Sequence, residues 1–193
     1  HRIQKFTSDG EFITKWGTEG TGDGEFSSPE GIDIDSLGNV YIADTGNSRI
    51  QKFTSDGEFI TKWGTEGTGD GEFNEPHSSI IDNFGNVFVS DMNNHRIQKF
   101  TSDGEFITKW GTGATGDGEF GLPLGIGSDS KGNIFIIDQA SSSIFKFSNQ
   151  GEFVNKIIFK FDKLEDIELD SNDDIYITDR NKNEILKFSK IGN

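Results

Sequence analysis

A long repeat constrains the fold of this chain more than any other feature of its sequence. The stretch RIQKFTSDGEFITKWGTEGTGDGEF occupies residues 2–26 and recurs without a change at residues 49–73. It begins again at Arg96 and holds to Thr112, and a diverged copy starts with IFKF at Ile144. The copies are 47 residues apart. A fixed period of about 20–50 residues is typical of solenoids, propellers and other repeat architectures.

One repeat unit reads as four short strands. In the second unit these are Gly31–Asp35, Asn39–Asp44, Arg49–Thr54 and Glu58–Trp63, separated by turns rich in Gly, Asn and Asp. The pairs Asp-Gly at 9–10, 56–57 and 103–104 predict two-residue type I′ hairpin turns. The glycine-rich acidic stretch that follows each fourth strand, such as 64–73, is expected to be a flexible connector. Four antiparallel strands at this period predict an all-β fold made of propeller blades, with no helix longer than two turns.

Residues that recur at one place in every copy are best explained as structural. Each blade leaves an apolar face that only a neighbouring blade can bury, so the recurring aromatic side chains are expected in the core. The recurring Asp residues sit where strands meet turns, where a carboxylate can accept backbone N–H groups. The recurring basic residues, Arg2, Lys5, Lys15 and their equivalents, are interpreted as solvated charges at blade edges. The aromatic sets are Trp16, Trp63 and Trp110; Phe12, Phe59, Phe106 and Phe153; and Phe6, Phe53, Phe100, Phe147 and Phe188. The Asp sets are Asp35, Asp82, Asp129 and Asp170, and Asp44, Asp91, Asp138 and Asp179.

Composition narrows the classes of function. The formal net charge of −15 opposes nucleic acid, because a negative field repels phosphate backbones. There is no cysteine, hence no disulfide or thiolate chemistry, and no apolar run long enough to span a bilayer. The partners expected are therefore a protein or a small ligand, with no nucleic acid and no membrane. The compartment stays open, although the acidic connectors and the lack of cysteine favour an extracellular or cell-surface protein.

The chain is predicted to be a single domain, 1–193, with repeats near 1–26, 27–73, 74–120, 121–163 and 164–193. Because His1 stands within a motif and is not Met, a processed, trimmed or partial chain is expected.

The second unit carries the pattern P-x-G-I-x-x-D followed by G-N-V-Y-I-A-D-T-G-N-x-R-I-Q-K-F. It runs through Pro29, Gly31, Ile32 and Asp35 and then 38–47 and 49–53. This pattern resembles the NHL-repeat propellers, whereas the WD40 alternative lacks its Trp-Asp pair. The resemblance implies a ring of about six blades, or roughly 24 strands. It also implies one of three kinds of function: a protein-binding scaffold, an RNA-binding domain, or a metal-dependent peptide-amidating lyase.

The residue at the x of P-x-G should lie at the mouth of the propeller channel, because the first strand of a blade is the innermost. His77 holds this position in the third unit, and its equivalents are Glu30, Leu124 and Glu165. Two carboxylates and an imidazole around one opening could hold a divalent cation, although a polar channel lining with ordered water explains the same residues. The segment PHSSIIDNFGNVFVSD also resembles the amidating lyase, in which a His of a Pro-His-Ser segment binds zinc. That resemblance reaches only His77, since the other equivalent positions are not His.

Other candidates are interpreted as ordinary turns. His1 and His95 occupy a position that Ser48 and Ser143 also fill, so both are expected in turns or on the surface. The run from Asp170 to Asp174 begins like a calcium loop but lacks its Gly and distal Glu, so a turn is expected there too.

Three hypotheses of function follow. The first is a non-enzymatic binding scaffold without a cofactor, which presents loops and the channel mouth to a protein or small ligand. The alternative is a metal-dependent lyase or hydrolase that uses His77 with Glu30 or Glu165, and RNA binding ranks third.

Counting strands also predicts how the chain ends. Two strands, three sets of four and a final three give 17, so the chain is expected to form an arc or an incomplete ring. Either missing sequence or a second chain would complete it.

Overall fold

The computed structural model describes residues 1–111, 116, 118–158 and 163–189, and its regular elements are almost all strands. The only helices among these residues are the three-residue 3₁₀ turns Thr45–Asn47 and Met92–Asn94, so the all-β prediction is confirmed. In chain order the strands are β1 (Ile3–Phe6), β2 (Phe12–Trp16), β3 (Thr18–Glu19), β4 (Glu25–Phe26), β5 (Pro29–Ile34), β6 (Val40–Asp44), β7 (Arg49–Phe53), β8 (Phe59–Trp63), β9 (Pro76–Ile81), β10 (Val87–Asp91), β11 (Arg96–Phe100), β12 (Phe106–Trp110), β13 (Pro123–Ser128), β14 (Ile134–Asp138), β15 (Ser143–Phe147), β16 (Phe153–Ile158), β17 (Leu164–Leu169), β18 (Ile175–Asp179) and β19 (Glu184–Phe188).

The strands form four consecutive blades of a β-propeller. Blade A is β5–β8, blade B is β9–β12 and blade C is β13–β16, each an antiparallel sheet of four strands in sequence order. Blade D is the three-stranded sheet β17–β19, and β1–β2 form a two-stranded sheet of their own, here called the half-blade. Because β1 and β2 carry the same residues as β7 and β8, the half-blade is the outer half of a blade.

The glycine of the P-x-G pattern lets neighbouring innermost strands pack closely. A Cβ atom at Gly31 of β5 would lie 2.6 Å from the Cα of Ser78 on β9. At the same position of β13, a Cβ at Gly125 would lie 2.5 Å from the Cα of Asp166 on β17. Backbone cannot yield as a side chain does, so any larger residue would force adjacent blades apart.

The Asp-Gly pairs lie in hairpin turns as predicted, but the turn type differs. Gly10 adopts a φ of 85°, whereas Asp9 is not among the residues with positive φ. The N–H of Gly10 donates to the carbonyl of Thr7, and the N–H of Thr7 donates to the carbonyl of Glu11. The turn therefore spans one residue more than a type I′ turn, and the register shifts between Lys5 and Phe6.

The first two acidic connectors fold back on themselves and bury their last residue, Phe26 or Phe73, so the expectation of flexible tethers is wrong for these two. In the first connector β3 and β4 pair in parallel, and Phe26 at its end is fully buried. The Phe26 ring lies 5.7 Å from that of Phe53, and the Trp16 ring of the preceding copy lies 6.0 Å from the same ring. Each copy thus supplies aromatic side chains to the core of the next blade.

Arg49 and Arg96 are buried, which corrects their interpretation as solvated edge charges, whereas Arg2 is exposed as predicted. Arg49 is 6% exposed, and its Nε donates to Oδ2 of Asp44 over 2.7 Å. Its other nitrogens donate to the connector carbonyls of Thr21, Gly22 and Glu25. The network recurs in blade B at Arg96 and Asp91.

The recurring lysines of the third strand are also buried in blades A and B. Lys52 is 6% exposed, and its Nζ lies 5.0 Å from the centre of the Tyr41 ring. The alternation of residues along a strand shows which side chains share a face of the sheet, but not what covers that face. In a propeller, the two neighbouring blades cover both faces of a blade.

The first and last sheets along the chain, the half-blade and blade D, are not paired with each other among the described residues. β1 pairs only with β2, and β19 pairs only with β18. This agrees with the arc predicted from the strand count, while the means by which a ring would be completed stays a prediction. Beside the half-blade, Ile32 and Ile34 of β5 are 51% and 59% exposed.

Candidate functional site: the channel mouth

The structure brings the four residues predicted at the channel mouth into one cavity. Glu30, His77, Leu124 and Glu165 each hold the second position of the innermost strand of a blade. Since these strands lie side by side, the four side chains surround a single opening of about 450 Å³. A cavity of this size is in the range of small-molecule and peptide sites.

Two of the four residues, His77 and Glu30, are in direct contact. The Nε2 of His77 lies 3.3 Å from Oε2 of Glu30, and their side chains are 21% and 44% exposed. The other imidazole nitrogen, Nδ1, is buried and has no hydrogen-bond partner among the described residues. The imidazole therefore presents only Nε2 outward, and that nitrogen faces the carboxylate of Glu30.

Two cations complete the mouth, and sequence reasoning missed both. Arg180 donates from its guanidinium to Oε1 of Glu165 over 3.0 Å, and Lys163 lines the same cavity. Leu124 is 3% exposed and adds an apolar wall. The opening thus combines both signs of charge with apolar surface, on a protein whose net charge is −15. Arg180 could have been found from sequence, because it follows Asp179 at the end of a second strand.

A second set of carboxylates lies along the innermost strands, at Asp33, Asp166 and Glu168. Burial, with smaller contributions from the carboxylates of Asp33 and Asp166, raises the pKa of Glu168 to about 7. Burial also raises the pKa of Asp33 and of Asp166, although backbone N–H groups that donate to both oppose this. Asp33 accepts from Ile81 on β9 and so links blades A and B. Asp33 and Glu168 were not singled out from the sequence. The equivalent residues of blades B and C are Ile80 and Gly127, so a carboxylate at this position departs from the repeat and could have been noticed.

A family model matches one repeat of the propeller. The model described as "NHL repeat" matches residues 26–53, which hold the connector end and the first three strands of blade A. The chain carries an NHL repeat within a β-propeller. No protein with a curated description matches its sequence.

Solved structures that resemble this NHL propeller include lyases. A streptogramin B lyase has a TM-score of 0.70 and 18% identity, with 100% of this chain and 63% of that chain covered. A catalytically inactive virginiamycin B lyase from Staphylococcus aureus with quinupristin has a TM-score of 0.69 and 17% identity, with 100% and 64% covered. A protein of unknown function from Bacteroides caccae has a TM-score of 0.65 and 15% identity, with 97% and 69% covered. The chain thus spans about two thirds of the length of these proteins, and at such low identity the likeness shows the fold alone.

The residues of the NHL propeller's mouth do not fit the three-His zinc set implied by the resemblance to the amidating lyase. Among the described residues no three His, Asp or Glu side chains converge on a point that could hold a metal ion. In the part of the chain that the structure describes, Glu30 contacts His77, Leu124 offers no donor atom, and Glu165 is paired with Arg180. A tetrahedral zinc site needs at least three protein ligands.

The remaining sequence candidates lie in turns, as predicted. His95 has a φ of 54° after the second 3₁₀ helix, and its Nδ1 lies 2.6 Å from the Gly121 carbonyl oxygen. The carboxylate of Asp170 accepts the N–H groups of Asn172 and Asp174 across its turn. No helix in the described part of the NHL propeller is both long and apolar enough to cross a membrane.

Proposed function

We propose that this NHL propeller is a non-enzymatic binding module and that the channel mouth receives its ligand. The observation that supports this is the pairing already present there: Glu30 faces His77, and Glu165 faces Arg180. These contacts hold the side chains in place before a ligand arrives, which lowers the ordering cost of binding. A ligand with polar groups and an apolar part, such as a protein loop or short peptide, matches the lining of both charges and Leu124.

The experiment uses a probe of known composition, a mixture of tripeptides with free ends, followed by ligand-observed NMR. We expect a subset to bind the wild-type protein and to lose binding to Glu30→Trp, which fills the mouth from a part-exposed position. The matched control is Leu37→Trp at a turn residue that is 86% exposed, and it should bind as the wild type does. Binding that both variants retain, or no binding at all, would contradict the proposal.

An elimination catalysed by His77 is the second candidate, and the contact with Glu30 favours it. A carboxylate beside an imidazole is the arrangement of a general base, and the solved structures above include lyases. Against it, the buried Nδ1 cannot reach a substrate, and Nε2 is occupied by Glu30. Catalysis would therefore require Glu30 to release Nε2 before that nitrogen could take a proton from a substrate carbon.

Quinupristin, present in the structure of the inactive lyase, is the substrate to test. The protein is incubated with it, and conversion is followed by chromatography. We expect no conversion above a heat-denatured control. Conversion that is lost in His77→Ala would instead establish the lyase and refute the binding module.

A further inference from the structure

Each blade contributes the same three repeat positions to the channel mouth. They are the residue that precedes the innermost strand, the second residue of that strand, and the residue that follows the second strand. Apart from Gly46, every described residue that lines the opening holds one of these positions. The mouth is therefore built from corresponding side chains of all four blades.

The blades differ in chemistry at the mouth and agree in their outer strands. Blades A and B have identical residues in their outer two strands, at 49–63 and 96–110, yet they differ at all three mouth positions. The residue that precedes the innermost strand is Ser28 in blade A, Glu75 in blade B, Leu122 in blade C and Lys163 in blade D. One backbone frame thus presents a different side chain from each blade.

This single position is acidic, apolar and basic in three successive blades, at Glu75, Leu122 and Lys163. In each of these blades the residue after the second strand donates its backbone N–H to the carbonyl of this residue, over 2.9 to 3.3 Å. The same bond therefore holds all three residues in the same way. Because blade C lies between blades B and D, the apolar side chain lies between the two opposite charges.

The charges on the two sides of Leu122 are available to a ligand. Neither Glu75 nor Lys163 forms an ion pair with a described residue, and both line the opening. Arg180, beside Lys163, donates from Nη1 to Oε1 of Glu165, and no other side-chain bond of its guanidinium is found in the described part of the chain. Its side chain is 66% exposed. One side of the mouth therefore offers a carboxylate, and the other side offers two cations.

The size of the opening limits the length of a ligand that reaches both sides. A sphere of about 450 Å³ has a diameter of about 9.5 Å. An extended chain spans at most about 3.3–3.6 Å for each residue, so three residues reach about 10–11 Å. The opening therefore matches a chain of two or three residues from end to end.

We propose that the mouth binds short free peptides by both of their ends. The amino group lies at Glu75, the carboxylate lies at Lys163 and Arg180, and an apolar side chain packs on Leu122. Recognition of chain ends is a known mode of peptide binding, and hydrogen bonds between ions are stronger than those between neutral groups. This inference rests on the proposed function and narrows its ligand, because a protein loop has no ends and would cover these charges without neutralising them.

The test uses alanyl-leucyl-alanine in four forms: free, N-acetylated, C-amidated and blocked at both ends. The Kd of each form is measured by NMR titration of the wild-type protein. We expect each single block to weaken binding about three- to tenfold, because it removes one charged contact. The form with both ends blocked should bind most weakly. A central serine in the free form should also weaken binding, since Leu122 would then face a polar side chain.

Two variants assign each end of the peptide to its partner. Glu75→Gln should weaken only the forms with a free amino group, and Lys163→Met only the forms with a free carboxylate. Damage to the fold would instead weaken all four forms alike. The matched controls are Glu58→Gln and Lys131→Met, the same substitutions at exposed turns away from the mouth, and both should bind as the wild type does.

The outcomes separate this inference from the proposed function. If the blocked form binds as tightly as the free form and Glu30→Trp abolishes both, the mouth receives a ligand without reading its ends, which overturns the inference alone. Equal binding of an end-blocked lysyl-leucyl-aspartate would also overturn it, because side-chain charges would then suffice and a loop could be the ligand. No binding of any peptide would overturn both proposals.

Discussion

Asp33 and Glu168 hold the same repeat position on β5 and β17, and the charge of Asp33 raises the pKa of Glu168. Burial is the larger cause, and together with Asp166 the effects bring this pKa to about 7. The side chain of Glu168 is exposed by surface area even though strands crowd around its carboxylate, so the expected effect on stability is modest.

Removing the charge at Glu168 should stabilise the protein more at high pH than at low pH. A carboxyl whose pKa is raised on folding binds more protons in the native state, so its contribution falls as pH rises from about 4.5 to about 7. We expect Glu168→Gln to raise Tm relative to the wild type by about 1–3 °C at pH 8 and by less at pH 5. Thermal unfolding at the two pH values measures this. Glu58→Gln, at an exposed hairpin, should give the same difference at both, and a larger gain at pH 5 would show that the sign is wrong.

Arg49 should contribute more to stability than any exposed cation. Its replacement by Ala leaves Asp44 buried without its main partner and frees three connector carbonyls, so we expect a loss of about 3–5 kcal/mol in the free energy of unfolding. Urea unfolding at low protein concentration is the measurement. The matched control is Arg2→Ala, the same residue of the same repeat, which should cost less than about 0.5 kcal/mol there. Similar losses from both would mean that the ion pair contributes little.

Gly31 should not accept a methyl group. The Cβ of Gly31→Ala would lie 2.6 Å from the Cα of Ser78, so blades A and B must separate, at a cost of about 1–3 kcal/mol. At Gly22 the nearest atom to an added Cβ is Oε2 of Glu25, at the flexible end of a side chain, 3.1 Å away. Gly22→Ala should therefore be nearly neutral in the same unfolding experiment. A neutral Gly31→Ala would show that the contact between the inner strands is not tight.

Phe73 tests whether the connector belongs to the core. Its side chain is fully buried and its ring lies 5.6 Å from that of Phe100, so Phe73→Ala should cost about 3–5 kcal/mol. Phe12 is also a repeat aromatic, but it is 55% exposed, and Phe12→Ala should cost less than about 1 kcal/mol. Differential scanning calorimetry of both variants gives the comparison, and equal shifts in Tm would mean that the connector is only a tether.

The blades and the mouth could be predicted because the repeat supplies its own alignment. The spacing of 47 residues showed that Glu30, His77 and Leu124 hold equivalent positions, and the match of the last, shorter copy, 41 residues on, added Glu165. The structure brings these four residues to one opening. Whether they bind a ligand does not follow from position and stays a prediction.

The features that could not be predicted from the sequence depend on contacts between successive repeat units of the chain. Arg49 looks like an exposed residue on an alternating strand until the connector of the preceding copy is folded over it. Arg180 and Lys163 escaped notice because they lie just after β18 and just before β17 in the most diverged copy, and the equivalent positions of the other copies hold no basic residue. The type I′ turn was a wrong choice between two hairpin geometries, both of which place Gly at positive φ.

The bonds of Arg49 to the connector before it have a consequence for how such a gene can grow. The stabilising contacts of a unit reach back to the previous unit, so no cut point within the period isolates a self-sufficient piece. If a segment of one repeat length is duplicated, each connector is still followed by a blade whose arginine can bond to it, wherever the duplicated segment begins. Unequal crossing-over could therefore lengthen or shorten the array in whole blades without disturbing the protein at the junction, and the unchanged copies at residues 2–26 and 49–73 are what recent events of that kind would leave.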